Sequence, residues 1–147
     1  MTLFTRSLMA LIVLFACIST VQAAPAWQQQ LTVQTNMYKA QLMDSNGYRL
    51  VDVAESGSLI APSANELKTI RLEAGVQYRI LGVCDNDCND LDLALLRGGI
   101  ELSKDITTND HPVLEVTPTT TAEYQIKVTM YHCSTGTCGY QLSVWRK

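Results

Sequence analysis

The chain has 147 residues, with 11 basic and 14 acidic side chains and a formal net charge of −3 at pH 7. No cluster of basic residues is present that could neutralise a phosphate backbone, so nucleic acid is not an expected partner. The same lack argues against binding to an anionic membrane surface. The length is sufficient for one domain and too short for two.

The first 23 residues have the pattern of a secretory signal peptide. Arg6 provides a positive start, and Ser7 to Ile18 form an uncharged apolar run. Val21 and Ala23 fit the small-residue rule for cleavage after Ala23. The apolar run is shorter than the roughly 20 residues that a membrane span requires, and no later segment is long and apolar enough. We therefore expect an exported protein, periplasmic or secreted, without a membrane span.

A lipoprotein is the competing interpretation of the same segment. Leu14 to Cys17 loosely resembles a bacterial lipobox, in which Cys17 would be the lipidated first residue. Phe15, however, is bulky at a position where such boxes prefer a small residue. Cleavage after Ala23 instead leaves 124 residues and removes only the charge of Arg6, so the net charge becomes −4.

Residues 24–47 are predicted to form an N-terminal helix and turn. Four apolar side chains between Ala26 and Met43 fall near helical spacing: Trp27, Leu31, Tyr38 and Leu42. Asp44 to Gly47 has the composition of a turn and ends the segment. Two roles stay open for the helix: a lid over one edge or end of the main fold, or a docking helix for a partner protein.

From Tyr48 onward the pattern changes to short strands with one apolar face. We predict strands at Tyr48–Val53, Glu66–Glu73, Val76–Val83, Asp90–Leu96, Val113–Thr117, Ala122–Tyr131 and Gly139–Trp145. Alternation is clearest where Tyr124, Ile126 and Val128 share one face of a strand. Turn and loop compositions separate these segments. The pattern predicts an all-β fold over residues 48–147, an antiparallel jelly-roll-like β-sandwich of seven or eight strands.

Four cysteines lie beyond the signal segment: Cys84, Cys88, Cys133 and Cys138. An even number in an exported protein indicates two disulfides, for which three pairings exist. Each close pair flanks a short polar segment between two predicted strands, and a disulfide requires Cα atoms within about 7 Å. Both segments must therefore turn back on themselves, which Asn86 and Gly136 allow. We prefer the local pairs Cys84–Cys88 and Cys133–Cys138.

The stretch C-D-N-D-C-N-D-L-D-L, residues 84–93, concentrates oxygen ligands of the kind that Ca²⁺ binds. With a later loop it supplies six candidate calcium ligands: Asp85, Asp87, Asp90, Asp92, Asp105 and Asp110. Asp90 and Asp92 share one strand face, where they repel unless a cation or basic side chain lies between them. An EF-hand is excluded, because its glycine and glutamate positions hold Asp90 and Leu96. The alternative is that the acids cap turns and solubilise the sheet, with Arg97 or Lys104 as counter-charges.

Zinc, redox and catalytic sites are weaker interpretations. His111, His132 and the cysteines could assemble a zinc site, but an oxidising compartment favours cysteines paired with each other. A redox role would need Cys-x-x-Cys at the start of a helix, whereas these cysteines lie between strands. The sequence has no motif of a serine hydrolase, a zinc protease or a phosphate-binding loop. An acid pair for glycoside hydrolysis could be drawn from the aspartates, which leaves a weak hydrolase as the last alternative.

Tyr131 and Trp145 are predicted to face away from the apolar stripes of their strands. Exposed aromatic side chains on a sandwich can stack against sugars or peptides, so both are candidate binding residues. The alternative is that they cover the sheet beneath the N-terminal helix. If the two disulfide turns lie at the same end of the fold, His132 joins the aspartates of residues 85–92 on one surface. That surface is our first site hypothesis.

Several motifs resemble exported domains of the bacterial pre-peptidase C-terminal type. They are L-x-x-G-x-x-Y-x-I-x-x-V-C-D-x-D-C-x-D-L-D-L-x-L (Leu72 to Leu95), N-D-H-P-V-L-E-V-T-P (Asn109 to Pro118), Y-x-I-x-V-x-M (Tyr124 to Met130) and C-x-x-x-x-C-x-Y (Cys133 to Tyr140). The resemblance covers residues 66–146. It implies a non-catalytic jelly-roll-like sandwich. Such domains are often appended to secreted enzymes, some bind calcium, and some recognise a polymer such as collagen or glycan.

Two positions depart from the pattern of that family. Leu96 to Gly99 replace an acidic turn and glycine, which places Arg97 near the proposed cation site, and Ala122 stands where the family has glycine. No enzyme domain is expected in this chain. We therefore predict an exported non-catalytic binding or structural module that recognises a polymer or protein surface, with calcium as its candidate ion. The alternatives are an accessory or inhibitory partner of another exported protein, acting through the helix, and a weak hydrolase.

Overall fold

The computed structural model describes residues 24–53 and 56–147, so the predicted signal peptide and the lipobox cysteine lie outside the described residues. Helix α1, Ala26–Tyr38, follows Pro25 and continues through a π-helical turn at Lys39–Met43 and a 3-10 turn at Asp44–Asn46. Gly47, in the left-handed conformation, ends the segment, as the turn composition predicts. None of the helices in the described ranges has the length and apolar character that crossing a membrane requires.

The strands of the described ranges form two antiparallel sheets. They are β1 (Arg49–Asp52), β2 (Ser56–Ile60), β3 (Ala64–Leu72), β4 (Tyr78–Cys84), β5 (Cys88–Arg97), β6 (Ile100–Asp105), β7 (Val113–Val116), β8 (Ala122–Cys133) and β9 (Thr137–Arg146). In one sheet the order is β1-β9-β4-β7. Strands β1 and β2 pair with the same edge of β9, β1 near its last residues and β2 near its first residues. The other sheet has the order β3-β8-β5-β6. The predicted all-β sandwich with an N-terminal helix is confirmed.

Two strands, β2 and β6, were not predicted from the sequence. Strand β2 reads S-G-S-L-I, and its single buried side chain is Leu59. Strand β6 reads I-E-L-S-K-D and has no buried side chain, because it lies at the edge of its sheet. Both are held by backbone pairing with a strong neighbouring strand, and such pairing leaves no hydrophobic alternation for the sequence to reveal.

The main core lies between the two sheets. The side chains of β8 that alternate inward, Tyr124, Ile126, Val128 and Met130, are buried there together with Leu91, Leu93 and Leu95 of β5. From the other sheet, Ile80, Leu142 and Val144 complete the core. Each fully buried aliphatic side chain stabilises the fold by roughly 1.5–3 kcal/mol relative to an exposed one, before entropy is subtracted.

Helix α1 covers the outer face of the β1-β9-β4-β7 sheet, which we call the covered sheet. A second buried cluster joins Leu31 and Met43 of the helical segment to Tyr48, Leu81, Val83 and Trp145. At the start of the helix the ring of Trp27 lies on Gly139, where an added Cβ would come within 2.5 Å of Trp27 Cε3. The helix is therefore a lid, as one of the two sequence interpretations proposed. The outer face of the β3-β8-β5-β6 sheet, the open sheet, has no such cover among the described residues.

The local disulfide pairing is confirmed. Cys84–Cys88 and Cys133–Cys138 each have a Cα–Cα separation of 5.8 Å. Cys84 ends β4 of the covered sheet and Cys88 begins β5 of the open sheet, while Cys133 ends β8 and Cys138 lies in β9. Both bridges thus connect the two sheets. Such bridges are typical of oxidising compartments and indicate an extracytoplasmic location.

Candidate functional site

The two disulfide turns lie side by side at one end of the sandwich. Cys88 and Cys133, one from each disulfide, are cross-strand neighbours in the β5–β8 ladder. Ser134 donates both its backbone N–H and its hydroxyl to the carbonyl oxygen of Asp87, at 2.8 and 3.0 Å. Both turns therefore close the same end, which is the condition that the first site hypothesis required, and the aspartates of the first turn can be assigned one by one.

Asp85, one of the predicted calcium ligands, has its carboxylate engaged in hydrogen bonds within the fold. Its side chain is 5% exposed. One carboxylate oxygen accepts the backbone N–H of Gly139 at 2.6 Å, and the other accepts that of Asp87 at 3.3 Å. The carboxylate satisfies two backbone donors, of which the Gly139 N–H is buried, and it holds the first turn to the start of β9. Asp87 itself is exposed.

Asp105 and Asp110 are also used within their loop. Asp105 accepts hydrogen bonds from the Thr107 N–H at 3.1 Å and the Val113 N–H at 2.9 Å. Burial acts to raise the pKa of Asp105, but a hydrogen bond from the Thr107 hydroxyl, together with these two backbone hydrogen bonds, holds it below its ordinary value. The Asp110 carboxylate lies 2.6 Å from Nδ1 of His111, and the His111 ring stacks on Tyr38 at 4.2 Å. These contacts fasten the end of α1 to the loop before β7.

The predicted six-aspartate site is therefore not assembled in this arrangement. Within residues 24–53 and 56–147, no group of three histidine, cysteine, aspartate or glutamate side chains could hold a metal ion. The zinc interpretation loses its sulfur ligands, because the four cysteines form disulfides. Ca²⁺ takes six to eight oxygen ligands, and of the clustered carboxylates only Asp90 and Asp92 lie together without an internal partner. Calcium at these two residues stays a prediction.

Asp90, Asp92 and Tyr131 lie on the outer face of the open sheet, and two backbone irregularities place them there. Asp90 pairs with His132, whereas Leu91 pairs with Met130, so Tyr131 is an extra residue in β8. Asn89 is the corresponding extra residue in β5, and the two bulges restore the register. Bulges bend a strand and redirect a side chain at the end of a ladder. The Tyr131 side chain is 49% exposed as a result of its position at this end.

Asp92 has an unusual acidity for a carboxyl on a sheet surface. Its pKa is raised to about 6, first because burial disfavours the charged form, and second because Asp90 and Asp105 are nearby. The repulsion that the sequence predicts for the Asp90 and Asp92 pair is thus present. Neither predicted counter-charge, Arg97 or Lys104, pairs with Asp90 or Asp92, which corrects the sequence interpretation. Lys104 pairs with Glu101 at 2.9 Å, and the Arg97 guanidinium lies 5.8 Å from the Tyr124 ring centroid.

A shallow groove of about 460 Å³ runs over this face from the disulfide end. It is lined by Ser63, Asn65, Asp92, Ala94, Glu101, Lys104, Ile106, Lys127, Thr129 and Tyr131, among others. A smaller cleft of about 200 Å³ at its end is enclosed by Asp90, Asp92, Ile106 and Tyr131. Lys127 and Thr129 were not predicted as site residues, although the alternation of β8 places both on the face opposite the core. Ile106 could not be predicted, because it lies in a loop.

The two predicted aromatic binding residues have opposite environments. Trp145 is 1% exposed, since it lies beneath α1 and donates its indole N–H to Ser143 Oγ at 2.9 Å. It is therefore not a binding residue, and the alternative that it covers the sheet under the helix is correct. Tyr131 is exposed, as predicted. His132 is exposed at the same end, where its Nδ1 lies 2.7 Å from Asn89 Oδ1.

No protein-family profile and no curated protein matches the chain. Solved structures do match it. The pre-peptidase C-terminal domain of a collagenase from Bacillus anthracis has a TM-score of 0.49 at 17% identity, over 61% of this chain and 85% of that domain. PliG from Aeromonas hydrophila, a periplasmic inhibitor of g-type lysozyme, has a TM-score of 0.44 at 12% identity, over 63% of this chain and 83% of that one. A domain of the pre-peptidase C-terminal type, which the sequence motifs resemble, is thus among the solved structures that match the chain.

Proposed function

We propose that this protein is an exported, non-catalytic binding module, periplasmic or secreted, that holds a protein or polysaccharide ligand in the groove of the open sheet. The single observation that supports the proposal is the position of Tyr131. Of the tyrosine and tryptophan side chains in the described residues, Tyr131 alone is exposed. It stands at the end of a groove of about 460 Å³ on a face that no other element covers within the described ranges.

The chemistry of the groove is suited to recognition. An aromatic ring offers a large contact area at a small loss of rotamer entropy. Around it lie amide, hydroxyl, carboxylate and ammonium groups on β3, β5 and β8, held at fixed spacing by the sheet. Because these groups lie on strands and not on loops, the sheet holds the aromatic ring and its polar neighbours in a defined geometry.

Retention on immobilised ligands tests the proposal. The oxidised protein would be passed over a panel of insoluble polysaccharides and of gelatin, with Tyr131→Ala and Lys127→Ala beside the wild type. Retention by at least one material, reduced about ten-fold or more by Tyr131→Ala, is the expected result, because the loss of a stacked aromatic at a binding centre commonly exceeds 1 kcal/mol. Arg71→Ala, an exposed residue near the far end of β3, is the matched control. Retention that Tyr131→Ala leaves unchanged would contradict the proposal.

One observation favours a second candidate, a complex with another exported protein through α1. The outward side of the helix exposes Val33 (68%) and Met37 (44%), one turn apart. A cleft of about 340 Å³ lies next to Val33, between the helix and Asn86. Deletion of the helix cannot test this candidate cleanly, because it would expose Trp145 and the rest of the second core cluster. Val33→Gln with Met37→Gln keeps the helix and removes the apolar surface, so partner binding lost in this variant and kept in Tyr131→Ala would favour the helix.

A further inference from the structure

The small cleft at the disulfide end of the groove combines two kinds of wall. Asp90 and Asp92 supply two carboxylates, and Ile106 and Tyr131 supply apolar and aromatic surface. Its volume of about 200 Å³ is comparable to that of one long side chain, and it opens directly to solvent at the surface of the sheet.

The carboxylates of this cleft have no partner within the described residues. Neither Asp90 nor Asp92 makes a side-chain hydrogen bond or an ion pair there, unlike Asp44, Asp85, Asp105 and Asp110. Of the two lysines that line the larger groove, Lys104 is paired with Glu101. Lys127 is the cross-strand neighbour of Ala94, which is two residues from Asp92 along β5. The cleft therefore has an unneutralised negative charge beside an aromatic ring.

Resting on the function proposed above, we infer that the open face docks a partner protein that inserts one basic side chain, lysine or arginine, between Asp90, Asp92, Tyr131 and Ile106. The methylene stem of such a side chain packs against the isoleucine and the ring, and its head lies between the carboxylates. Charge-assisted hydrogen bonds to two carboxylates are stronger than hydrogen bonds between neutral groups, and an arginine fork can engage both.

The neighbourhood of the cleft favours a protein over a sugar polymer. Ile106 and Leu67 are exposed apolar side chains at the groove and beside it, and Leu67 lies opposite Lys127 in the β3–β8 ladder. Apolar surface around a charged or aromatic anchor is the usual composition of a protein interface. A neutral sugar can donate hydroxyl hydrogen bonds to the two carboxylates, but it supplies no positive charge to balance them. The negative net charge of the chain also favours encounter with a basic partner.

A titration followed by ¹H–¹⁵N NMR tests the inference on the oxidised protein. The probes are Nα-acetyl-arginine amide and Nα-acetyl-lysine amide, with Nα-acetyl-glutamine amide as the neutral control and chitotetraose as the neutral sugar. We expect the basic probes alone to shift the amide signals of Asp90, Asp92, Ile106 and Tyr131. Asp90→Asn with Asp92→Asn is expected to weaken this binding about ten-fold or more, since both charged acceptors are lost.

Two variants separate a specific cleft from general acidity. Asp52→Asn with Asp87→Asn removes the same charge from exposed positions elsewhere and is expected to leave the titration unchanged. Tyr131→Ala keeps both carboxylates and is expected to weaken binding of both basic probes. The spectrum of each variant reports directly whether it is folded.

Three results would overturn the inference. The first is that the glutamine probe shifts the same signals as strongly as the basic probes do. The second is that the Asp90 and Asp92 variant loses no more affinity for the basic probes than the charge-matched control does. The third is that neither basic probe shifts these signals. If chitotetraose shifts signals around Tyr131 and the basic probes do not, the insertion of a basic side chain is contradicted and the proposed function still stands. The proposed function fails separately, if Tyr131→Ala leaves the retention experiment unchanged.

Discussion

The outer faces of the two sheets have the same alternation in sequence but differ in how far their side chains are buried. On the covered sheet, β9 alternates Tyr140, Leu142 and Val144 inward with Ser143 and Trp145 outward, and both sets are buried. On the open sheet, β8 alternates in the same way, but its outward residues, from Gln125 to Tyr131, stay partly or fully accessible. The difference is α1, which lies on one face only. Alternation shows which side chains leave the central core, and it does not show whether another element then covers them.

The largest expected effect breaks this comparison directly. Trp145→Ala on the covered sheet should destabilise the protein by about 3–5 kcal/mol, because it empties a fully buried site under the helix. Tyr131→Ala on the open sheet should change stability by less than about 0.5 kcal/mol. Urea unfolding of both variants measures the contrast. Similar losses for the two residues would mean that the open face is covered in solution.

The bridges between the sheets come next. Cys133→Ala with Cys138→Ala should cost about 2 kcal/mol, since a short loop is released in the unfolded chain. Removal of Cys84 and Cys88 in the same way should cost a similar amount, because the two loops differ by one residue in sequence separation. Urea midpoints of the two double variants, with the fully reduced wild type as reference, provide the test. A loss confined to one pair would show that the other bridge contributes no constraint.

A smaller effect separates the two acids of the first disulfide turn. Asp85→Ala leaves the N–H of Gly139 buried without its acceptor and should cost about 1.5 kcal/mol. Asp87→Ala removes an exposed side chain and should cost less than about 0.5 kcal/mol. Thermal unfolding of the pair distinguishes a structural carboxylate from a solvated one. An Asp85 variant as stable as the Asp87 variant would contradict the role assigned to Asp85.

Asp92 should destabilise the open sheet at neutral pH. Its folded pKa of about 6 lies above the unfolded value of about 3.9, so the folded state binds the proton more tightly. The contribution of Asp92 is therefore most favourable below about pH 4 and is lost as the pH rises through about 6. Asp92→Asn should raise stability by about 1 kcal/mol at pH 7, discounted for partial exposure, and by almost nothing at pH 4.

The control for Asp92→Asn must remove a negative charge that takes no part in the repulsion around Asp92. Asp87→Asn serves, because Asp87 is exposed and lies outside the cleft that Asp90 and Asp92 form. Urea unfolding of wild type and both variants across this pH range isolates the Asp92 contribution. A gain for Asp92→Asn that is the same at both ends of the range would show that its pKa is not raised.

The smallest expected effect concerns calcium. Two carboxylates are a poor site for an ion that takes six to eight ligands, so millimolar Ca²⁺ should raise the melting temperature by about 1 °C at pH 7. Asp90→Asn with Asp92→Asn should abolish this shift. A fully built site at a hundred times its dissociation constant would add about 2.7 kcal/mol and several degrees. A shift of that size, or one that persists in the variant, would contradict a weak site at these two residues.

The class of fold and the N-terminal helix could be predicted from the sequence, which also favoured the disulfide pairing that the structure confirms. These follow from local rules: alternation with period two in β8 and β9, helical spacing before Gly47, and the short distance between paired cysteines. It also placed Asp90, Asp92 and Tyr131 on the outside of their sheet. The resemblance to pre-peptidase C-terminal domains added the expectation of a non-catalytic sandwich.

Which of the outward residues are accessible depends on how the helix packs on the sheets, and that packing could not be predicted from the sequence. Trp145 and Tyr131 have the same status in the alternation pattern, yet the helix packs on one sheet and leaves the other free. The aspartates are separated for a similar reason: Asp85 is taken by a backbone amide of β9, more than 50 residues away. Contacts between residues so distant in sequence depend on how the sheets and the helix pack. Local pattern carries no information about that packing, because each strand presents the same alternation wherever it lies in the fold.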